Sequence, residues 1–370
     1  MSPLLLHVFA TFAPAGPQIR TAQLINATGS AFRHAVLAMD GVTTARDLID
    51  PGIDFKVLPS LPRAGSLRTS LRLHTLLKER KPHLLLSYNW GSIDALLALC
   101  MGSKIPALHH EDGFLPDEVA GLKKRRTIAR RALLKRVNGL VVPSERLAKI
   151  ACEAWRQPTD QVHLIPNGIH EDRYEGERGS HGLRHRFNIP DNAVVIGFCG
   201  HLRAEKNPVR LLEAVDLMKE QAHVLIVGDG PETRRVRETA RDLGLQNRVH
   251  LAGHIKDPVP YYRAMDVFAL SSDTEQMPVA LLEAMASSLP TVCTDVGDVR
   301  RMLPDCQDNF VLPISGRATP IAFAAALDTV CAGQSTRERL GNANRERVLE
   351  RYSFASMRQA HEALWQRFTR

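Results

Sequence analysis

Residues 271–286 read SSDTEQMPVALLEAMA and carry two glutamates eight positions apart, Glu275 and Glu283. Pro278 stands where the first residue of a helix would, since its missing N–H costs nothing there. Glu275 then falls in the loop before the helix and Glu283 inside it. A carboxylate in such a place suits a neutral polyol, because it accepts hydrogen bonds from adjacent hydroxyls and is costly to bury without them. The amides that open the helix add a second resource, free N–H groups and the positive end of a dipole for a phosphate or a sugar hydroxyl. On spacing alone, two glutamates eight apart read as surface decoration. Their surroundings decide otherwise.

A second constellation lies upstream in Gly200-His201-Leu202-Arg203-Ala204-Glu205-Lys206-Asn207-Pro208. Gly200 permits a sharp turn after an apolar run, and Arg203 and Lys206 follow three residues apart. Such a pair suits a diphosphate, Arg binding as a fork and Lys as a point charge; a surface pair of cations has the same spacing. A third piece, Gly228-Asp229-Gly230-Pro231, lacks the third glycine of a dinucleotide fingerprint and has Pro231 directly after it. It reads as a tight strand-to-helix turn lining a nucleotide pocket rather than as an NAD site.

The elements that must hold these residues alternate along the whole chain. Short apolar runs at 5–10, 35–39, 84–88 and 140–143 are predicted strands, with helices between them, as at 66–80 and 92–101. A second series at 194–199, 223–227, 249–252, 267–270 and 291–294 follows a polar stretch at 171–186. Such alternation implies α/β architecture with parallel sheets covered by helices. Two series joined by a linker predict two Rossmann-like doubly wound domains facing a cleft. The boundaries are 1–166 and 167–351, with a final helix over 352–370 packing back on the first. In open α/β sheets ligands bind beyond the carboxyl ends of the strands, and each motif above directly follows a predicted strand.

Composition sets the outer bounds. With 370 residues, 44% hydrophobic and 24% charged, the chain is globular and large enough for two cores. No apolar run approaches a membrane span, and Leu4 to Leu6 read as a buried first strand rather than a leader. Six scattered cysteines have neither zinc spacing nor a disulfide framework, which fits reduced thiols in the cytoplasm. The net charge of +8 is concentrated in Lys123, Lys124, Arg125, Arg126, Arg130, Arg131, Lys135 and Arg136, with no acid among them. Apolar residues thread this stretch at helical spacing, so it reads as a basic amphipathic helix. It is either a solvated face or a contact for anionic lipid headgroups or a lipid-pyrophosphate acceptor, with Lys123, Lys124, Arg125 and Arg126 as the contact residues. Nucleic acid is not expected, for no aromatic platform accompanies the charge.

Taken together and in order, G-H-L-R-A-E-K-N-P, V-G-D-G-P and D-V-F-A-L-S-S-D-T-E-Q-M-P-V-A-L-L-E-A-M-A resemble the family 4 glycosyltransferases of the GT-B fold. The resemblance is strong over 194–297 and looser elsewhere. It includes the family's E-x7-E element as Glu275 and Glu283. It implies that Arg203 and Lys206 hold the donor diphosphate beside Gly200, that Glu283 binds the ribose and that Glu275 binds donor-sugar hydroxyls. The backbone around Gln276, Met277, Pro278 and Val279, with its free amides, would complete the sugar and phosphate site, and His254 would stack on the base. Residues 15–20 resemble the family's glycine loop near the donor phosphates, with Gly16 and Arg20 as its candidates, and Ile165-Pro166-Asn167-Gly168-Ile169 resembles its hinge. Where many members place a catalytic histidine, this chain reads Glu111-Asp112-Gly113, after His109 and His110. Either Asp112 replaces that histidine or one of the two histidines takes its place. A metal held by this His-His-Glu-Asp run is disfavoured, since adjacent side chains of one segment cannot all converge.

The resemblance further implies a retaining hexosyltransferase with a UDP- or GDP-linked donor, no metal and no other cofactor. The acceptor would be a glycan or lipid-linked sugar used in surface polysaccharide or glycolipid synthesis, on the cytoplasmic side, with possible attachment to an anionic membrane surface. A nucleotide-sugar epimerase or hydrolase, or a non-catalytic GT-B binding subunit, are the alternatives.

Overall fold

The computed structural model describes residues 2–62, 64–114, 118, 121–176, 181–314, 316 and 318–369. The chain divides into two compact units: unit 1 comprises Met1–Pro166 with Met357–Arg370, and unit 2 comprises Asn167–Ser356.

Unit 1 is built on β1 (Leu4–Phe9), β2 (Arg33–Ala38), β3 (Phe55–Val57), β4 (Leu84–Tyr88), β5 (Ala107–His110), β6 (Gly139–Val142) and β7 (Val162–Leu164). They pair in parallel in the order β3-β2-β1-β4-β5-β6-β7, with helices in the crossovers. Every residue of β4 is buried, as a central strand covered on both faces requires. The strand order reverses between β1 and β4, the place where loops splay apart and leave a crevice at the carboxyl ends. From Met357 onward the final helix Phe354–Thr369 belongs to this unit, where the buried Trp365 stands edge-on to His7, Phe32 and His34.

Unit 2 carries β8 (Val194–Cys199), β9 (Ala222–Val227), β10 (Val249–Gly253), β11 (Val267–Leu270), β12 (Thr291–Thr294) and β13 (Val311–Leu312). Their order is β10-β9-β8-β11-β12-β13, so the reversal falls between β8 and β11. The two chemistry-bearing stretches leave those two strands. The helix after β11 runs Val279–Ala286, with Pro278 in extended conformation as its cap, one residue later than the proline alone suggests.

Two glycines allow the turns at these strand ends to pack. Gly228 has φ +137°, and a Cβ there would collide with the carbonyl oxygen of Gly200, so the turns after β8 and β9 stack backbone to backbone. Gly297 has φ +57°, and its Cβ would sit 2.5 Å from the carbonyl oxygens of Glu275 and Gln276.

Four short strands, β3, β5, β7 and β13, are not apparent as apolar runs in the sequence. In β5 the reason is chemical: half of Ala-Leu-His-His is polar, yet all four residues are buried. Residues expected in a loop therefore alternate across a sheet. Among the described residues no helix is long and apolar enough to cross a membrane.

Candidate active site

In unit 2 the site is made from two loops. The first leaves β8 at Gly200, whose N–H donates to Val227 O at 2.9 Å. Leu202 is buried and its N–H donates to Asp229 O at 3.0 Å, pinning the turn so that Arg203 projects half-exposed beside Glu205, 3.6 Å away. A 3-10 turn, Ala204–Lys206, leads to Asn207 in left-handed conformation at φ +43°. The Asn207 side chain accepts from the N–H of Arg210 and so caps the helix Pro208–Asp216.

The second loop leaves β11 at Ser271 and is stitched to the first by side chains that sequence reading did not single out. Ser271 Oγ donates to Lys206 O (3.2 Å) and Asn207 O (2.9 Å). Arg210 donates to Ser271 O at 2.7 Å and pairs with Asp273 at 2.5 Å, while Asp273 N–H donates to Glu205 O at 2.7 Å. The loops converge on one contact: Lys206 Nζ donates to Glu275 Oε1 at 2.6 Å, and Ser272 Oγ donates to the same oxygen at 2.8 Å. The Glu275 side chain is only 9% exposed, which confines its remaining acceptor capacity to a small opening.

Beyond Glu275 the backbone is held from behind. Asp298 N–H donates to Gln276 O at 2.9 Å. Met277 is buried, its carbonyl accepts from Asn167 Nδ2 at 3.0 Å, and its sulfur lies 3.1 Å from Asn167 N. Its side chain is thus spent inside the unit. Gly200 has open space where a Cβ would be, and His254 is exposed beyond β10.

Glu283 lies on the helix Val279–Ala286 between two tyrosines. Tyr174 OH donates to its Oε1 at 2.9 Å and Tyr262 OH to its Oε2 at 2.8 Å. Burial raises the Glu283 carboxyl above its ordinary value, and the two phenol hydrogen bonds oppose that shift. Burial also raises both phenols, chiefly by desolvation and then by nearby negative charge, so they stay protonated donors. Each Glu283 oxygen keeps a lone pair for another hydroxyl. Neither tyrosine has a local signal in the sequence, since they lie 109 and 21 residues from their partner.

In unit 1, Arg20 sits on the helix Gly16–Thr28 after β1, and a Cβ on Gly16 would meet nothing within 4 Å. Arg20 Nη1 donates to Asp112 Oδ1 at 2.6 Å, each side chain being 11% exposed. Asp112 N–H donates to Asn89 Oδ1 at 2.7 Å, tying the end of β5 to that of β4.

The histidines beside Asp112 have a different fate. His110 is not presented to a ligand: it is 2% exposed, stacked between Tyr88 (4.6 Å) and His361 (5.6 Å), and burial lowers its pKa well below the ordinary value. His109 faces the other side of the sheet, fully buried, with Nδ1 2.8 Å from Ser87 Oγ. Strand geometry sends the two rings to opposite faces. Of the three candidates in that stretch, Asp112 is the one beside Arg20.

The basic stretch forms the helix Lys124–Leu133, but not a uniformly solvated face. Lys123, Lys124 and Arg125 are exposed, as is Ile128 at 63%. Arg126 turns inward to Glu118 at 3.0 Å and Arg130 is fully buried. The acid they share, Glu118, precedes the basic run and so is missed by counting charge within it. Burial alone would raise Glu118, but hydrogen bonds from Arg130 and Arg126 outweigh that and hold it below its ordinary value.

Two family models cover most of the chain: "Glycosyl transferase 4-like domain" matches residues 15–168 and "Glycosyl transferases group 1" matches 182–347. The chain belongs to the family 4-like glycosyltransferases. Within that family it is 28% identical over 178 residues to the lipopolysaccharide core biosynthesis glycosyltransferase LpsE of Rhizobium meliloti (strain 1021), covering 48% of this chain and 51% of LpsE. It is 27% identical over 226 residues to the D-inositol 3-phosphate glycosyltransferase of Xylanimonas cellulosilytica, covering 58% of this chain and 54% of that one. The chain thus spans about half the length of these curated relatives. Among solved structures, HepE of Anabaena in complex with UDP and glucose superposes with a TM-score of 0.84 at 17% identity, over 99% of this chain and all of HepE. This family member therefore has the GT-B fold, two Rossmann-like domains.

Proposed function

We propose that this chain transfers a hexose from a nucleoside-diphosphate sugar to a glycan or lipid-linked acceptor, with retention of anomeric configuration, in the synthesis of a surface polysaccharide or glycolipid. The observation that carries the reading is the Lys206–Glu275 contact at 2.6 Å, a cation for phosphate and a carboxylate for hydroxyls joined at the ends of β8 and β11. Arg203, half-exposed on the same loop, supplies the second cation. As the bond to the sugar breaks, negative charge grows on the departing diphosphate. Arg203 and Lys206 stabilise that charge more than they stabilise the bound donor, which is where electrostatic catalysis gains its rate. Glu275 turns to the hydroxyls of the donor sugar and Glu283, oriented by Tyr174 and Tyr262, to those of the ribose. In unit 1 the candidates are Arg20 and Asp112, with Asp112 in the role that a histidine has in many relatives. The donor is proposed to be UDP-linked, which the UDP and glucose bound to HepE support. The chemistry assigned to these residues calls for no metal ion. The surface-glycan assignment draws on the lipopolysaccharide core role in LpsE's name.

We place the protein on the cytoplasmic side, in reach of an anionic membrane through exposed Lys123, Lys124 and Arg125 around Ile128. Arg126, being paired to Glu118, contributes little to that surface.

The test is turnover. UDP- and GDP-linked hexoses are supplied with lipid-linked and soluble glycan acceptors, nucleoside-diphosphate release is followed, and the anomeric signal of the product is read by NMR. Product with the donor's configuration supports the proposal; an inverted product removes retention, and epimerised or hydrolysed donor without acceptor dependence replaces transfer by another reaction.

A further inference from the structure

Arg130 reads in the sequence as one of eight cations on a basic helix. In the structure its side chain has no exposed surface, and neither do those of Glu111 and Glu118, which it joins. Arg130 Nε donates to Glu111 Oε2 at 3.2 Å and Nη2 to Glu111 Oε1 at 3.4 Å. Its Nη1 donates to Glu118 Oε1 at 3.1 Å, and Nη2 to Glu118 Oε2 at 3.4 Å. The guanidinium also lies over three aromatic rings, Trp155 at 4.9 Å, Trp90 at 5.1 Å and Phe114 at 5.8 Å. Arg126 adds a second bond to Glu118 and a second contact with Trp90, and His109 Nε2 lies 3.5 Å from Glu111. Two arginines thus balance two glutamates inside unit 1.

A buried ion network is a poor device for stability. Removing charges from water costs about what their attraction returns, and apolar side chains of equal volume often do as well or better. What a guanidinium supplies is geometry: a rigid planar fork that fixes two carboxylates at once. Those carboxylates sit seven residues apart, Glu111 directly after β5. Asp112 follows Glu111 directly, and it holds Arg20 at 2.6 Å. Displacing Glu111 therefore displaces Asp112 and its partner.

We propose that Arg130 is a positioning residue that, through Glu111 and Glu118, sets Asp112 and Arg20 for sugar transfer. The inference rests on the transfer reading above, and its test separates the two. The full chain would be made with Arg130→Lys, which keeps the charge and loses the fork, and as Arg130→Met/Glu111→Gln, which removes one charge of each sign and keeps the Arg126–Glu118 pair. Melting temperature, UDP-induced stabilisation, kcat against donor KM, and amide hydrogen exchange at residues 111–114 are read in each. Expected are a melting point within a few degrees of the parent and an unchanged UDP response and donor KM. Alongside these, kcat falls about tenfold to a hundredfold, as misplacement of a positioned group by an ångström does, and exchange at 111–114 accelerates while the rest of unit 1 keeps its protection. Folded variants with parental exchange at 111–114 overturn the proposal whether or not the parent turns over, and so does parental kcat. A parent that shows no transfer with any donor defeats the transfer reading instead, leaving the exchange result to decide whether Arg130 positions Asp112.

Discussion

Lys206 and Glu275 neutralise each other: Nζ and Oε1 are 2.6 Å apart, and Ser272 shares the carboxylate. The cation proposed for phosphate and the carboxylate proposed for hydroxyls thus hold one another in place. In the proposed reaction, donor binding exchanges this pair for two sets of contacts. Alanine at either position should lower kcat/KM by about a hundredfold or more, as loss of one transition-state contact typically does. Because each residue orients the other, the double variant should be little worse than the poorer single one. A double-mutant cycle on turnover checks this; additive losses would mean that the two act separately.

Tyr174 and Tyr262 hold Glu283 from both sides. Phenylalanine at either position removes a hydrogen bond to a buried carboxylate, worth about 1.5–3 kcal/mol. Nucleotide affinity should fall about tenfold or more in each variant. Glu283 already titrates above its ordinary value because of burial. Losing a phenol should raise it further, so donor affinity should begin to fall at a higher pH than in the parent as the medium is acidified. Calorimetric titration with UDP across pH reads both effects; unchanged affinity would show that Glu283 needs no such support.

In unit 1 burial lowers the pKa of His7, His34, His110 and His361, bringing His34 to about 4 and His361 to about 3. In the unfolded chain all four protonate near their ordinary 6.5. Below that value the unfolded state takes up protons that the folded state refuses, so the stability they contribute is complete above 6.5 and drains as the pH falls toward the folded values. Each histidine should cost about 1.4 kcal/mol per pH unit in that window. Urea unfolding at pH 7, 6 and 5 should show a falling midpoint, less steep in His361→Phe. A flat profile would contradict these lowered values.

Gly297 supports the Glu275 loop by having no side chain. Alanine there would place Cβ 2.5 Å from two backbone carbonyl oxygens, at φ +57°. A loss of about 1–3 kcal/mol is expected from the strained backbone and displaced loop. Thermal unfolding and nucleotide binding should both suffer; a variant with parental melting and affinity would show that the loop yields freely.

How far the sequence discloses this arrangement depends on where partners lie along the chain. Arg203, Lys206, Glu275 and Glu283 each follow a strand within a short, ordered motif, and topology brings β8 beside β11, so their convergence in one unit is legible. The contact between Lys206 and Glu275 is not, because it depends on Ser271, Arg210 and Asp273 drawing the loops together. Tyr174 is equally silent: a single aromatic in a polar stretch has no periodicity to mark it. Arg130 is actively misleading, since a run of cations hides those that face inward and its acids lie outside the run. His110 is obscured for a related reason, because a strand of half polar composition looks like a loop.

Thermal stabilisation by nucleotides tests the central claim, a nucleoside-diphosphate site on unit 2, most directly. Melting is followed for the parent, Arg203→Ala and Glu283→Ala with UDP, GDP, ADP and CMP. A ligand at a hundred times its dissociation constant adds about 2.7 kcal/mol to stability, a rise of a few degrees or more. UDP is expected to raise the parent's melting temperature more than the others do, with a smaller response in both variants. No shift with any nucleotide, or equal shifts in parent and variants, would contradict it.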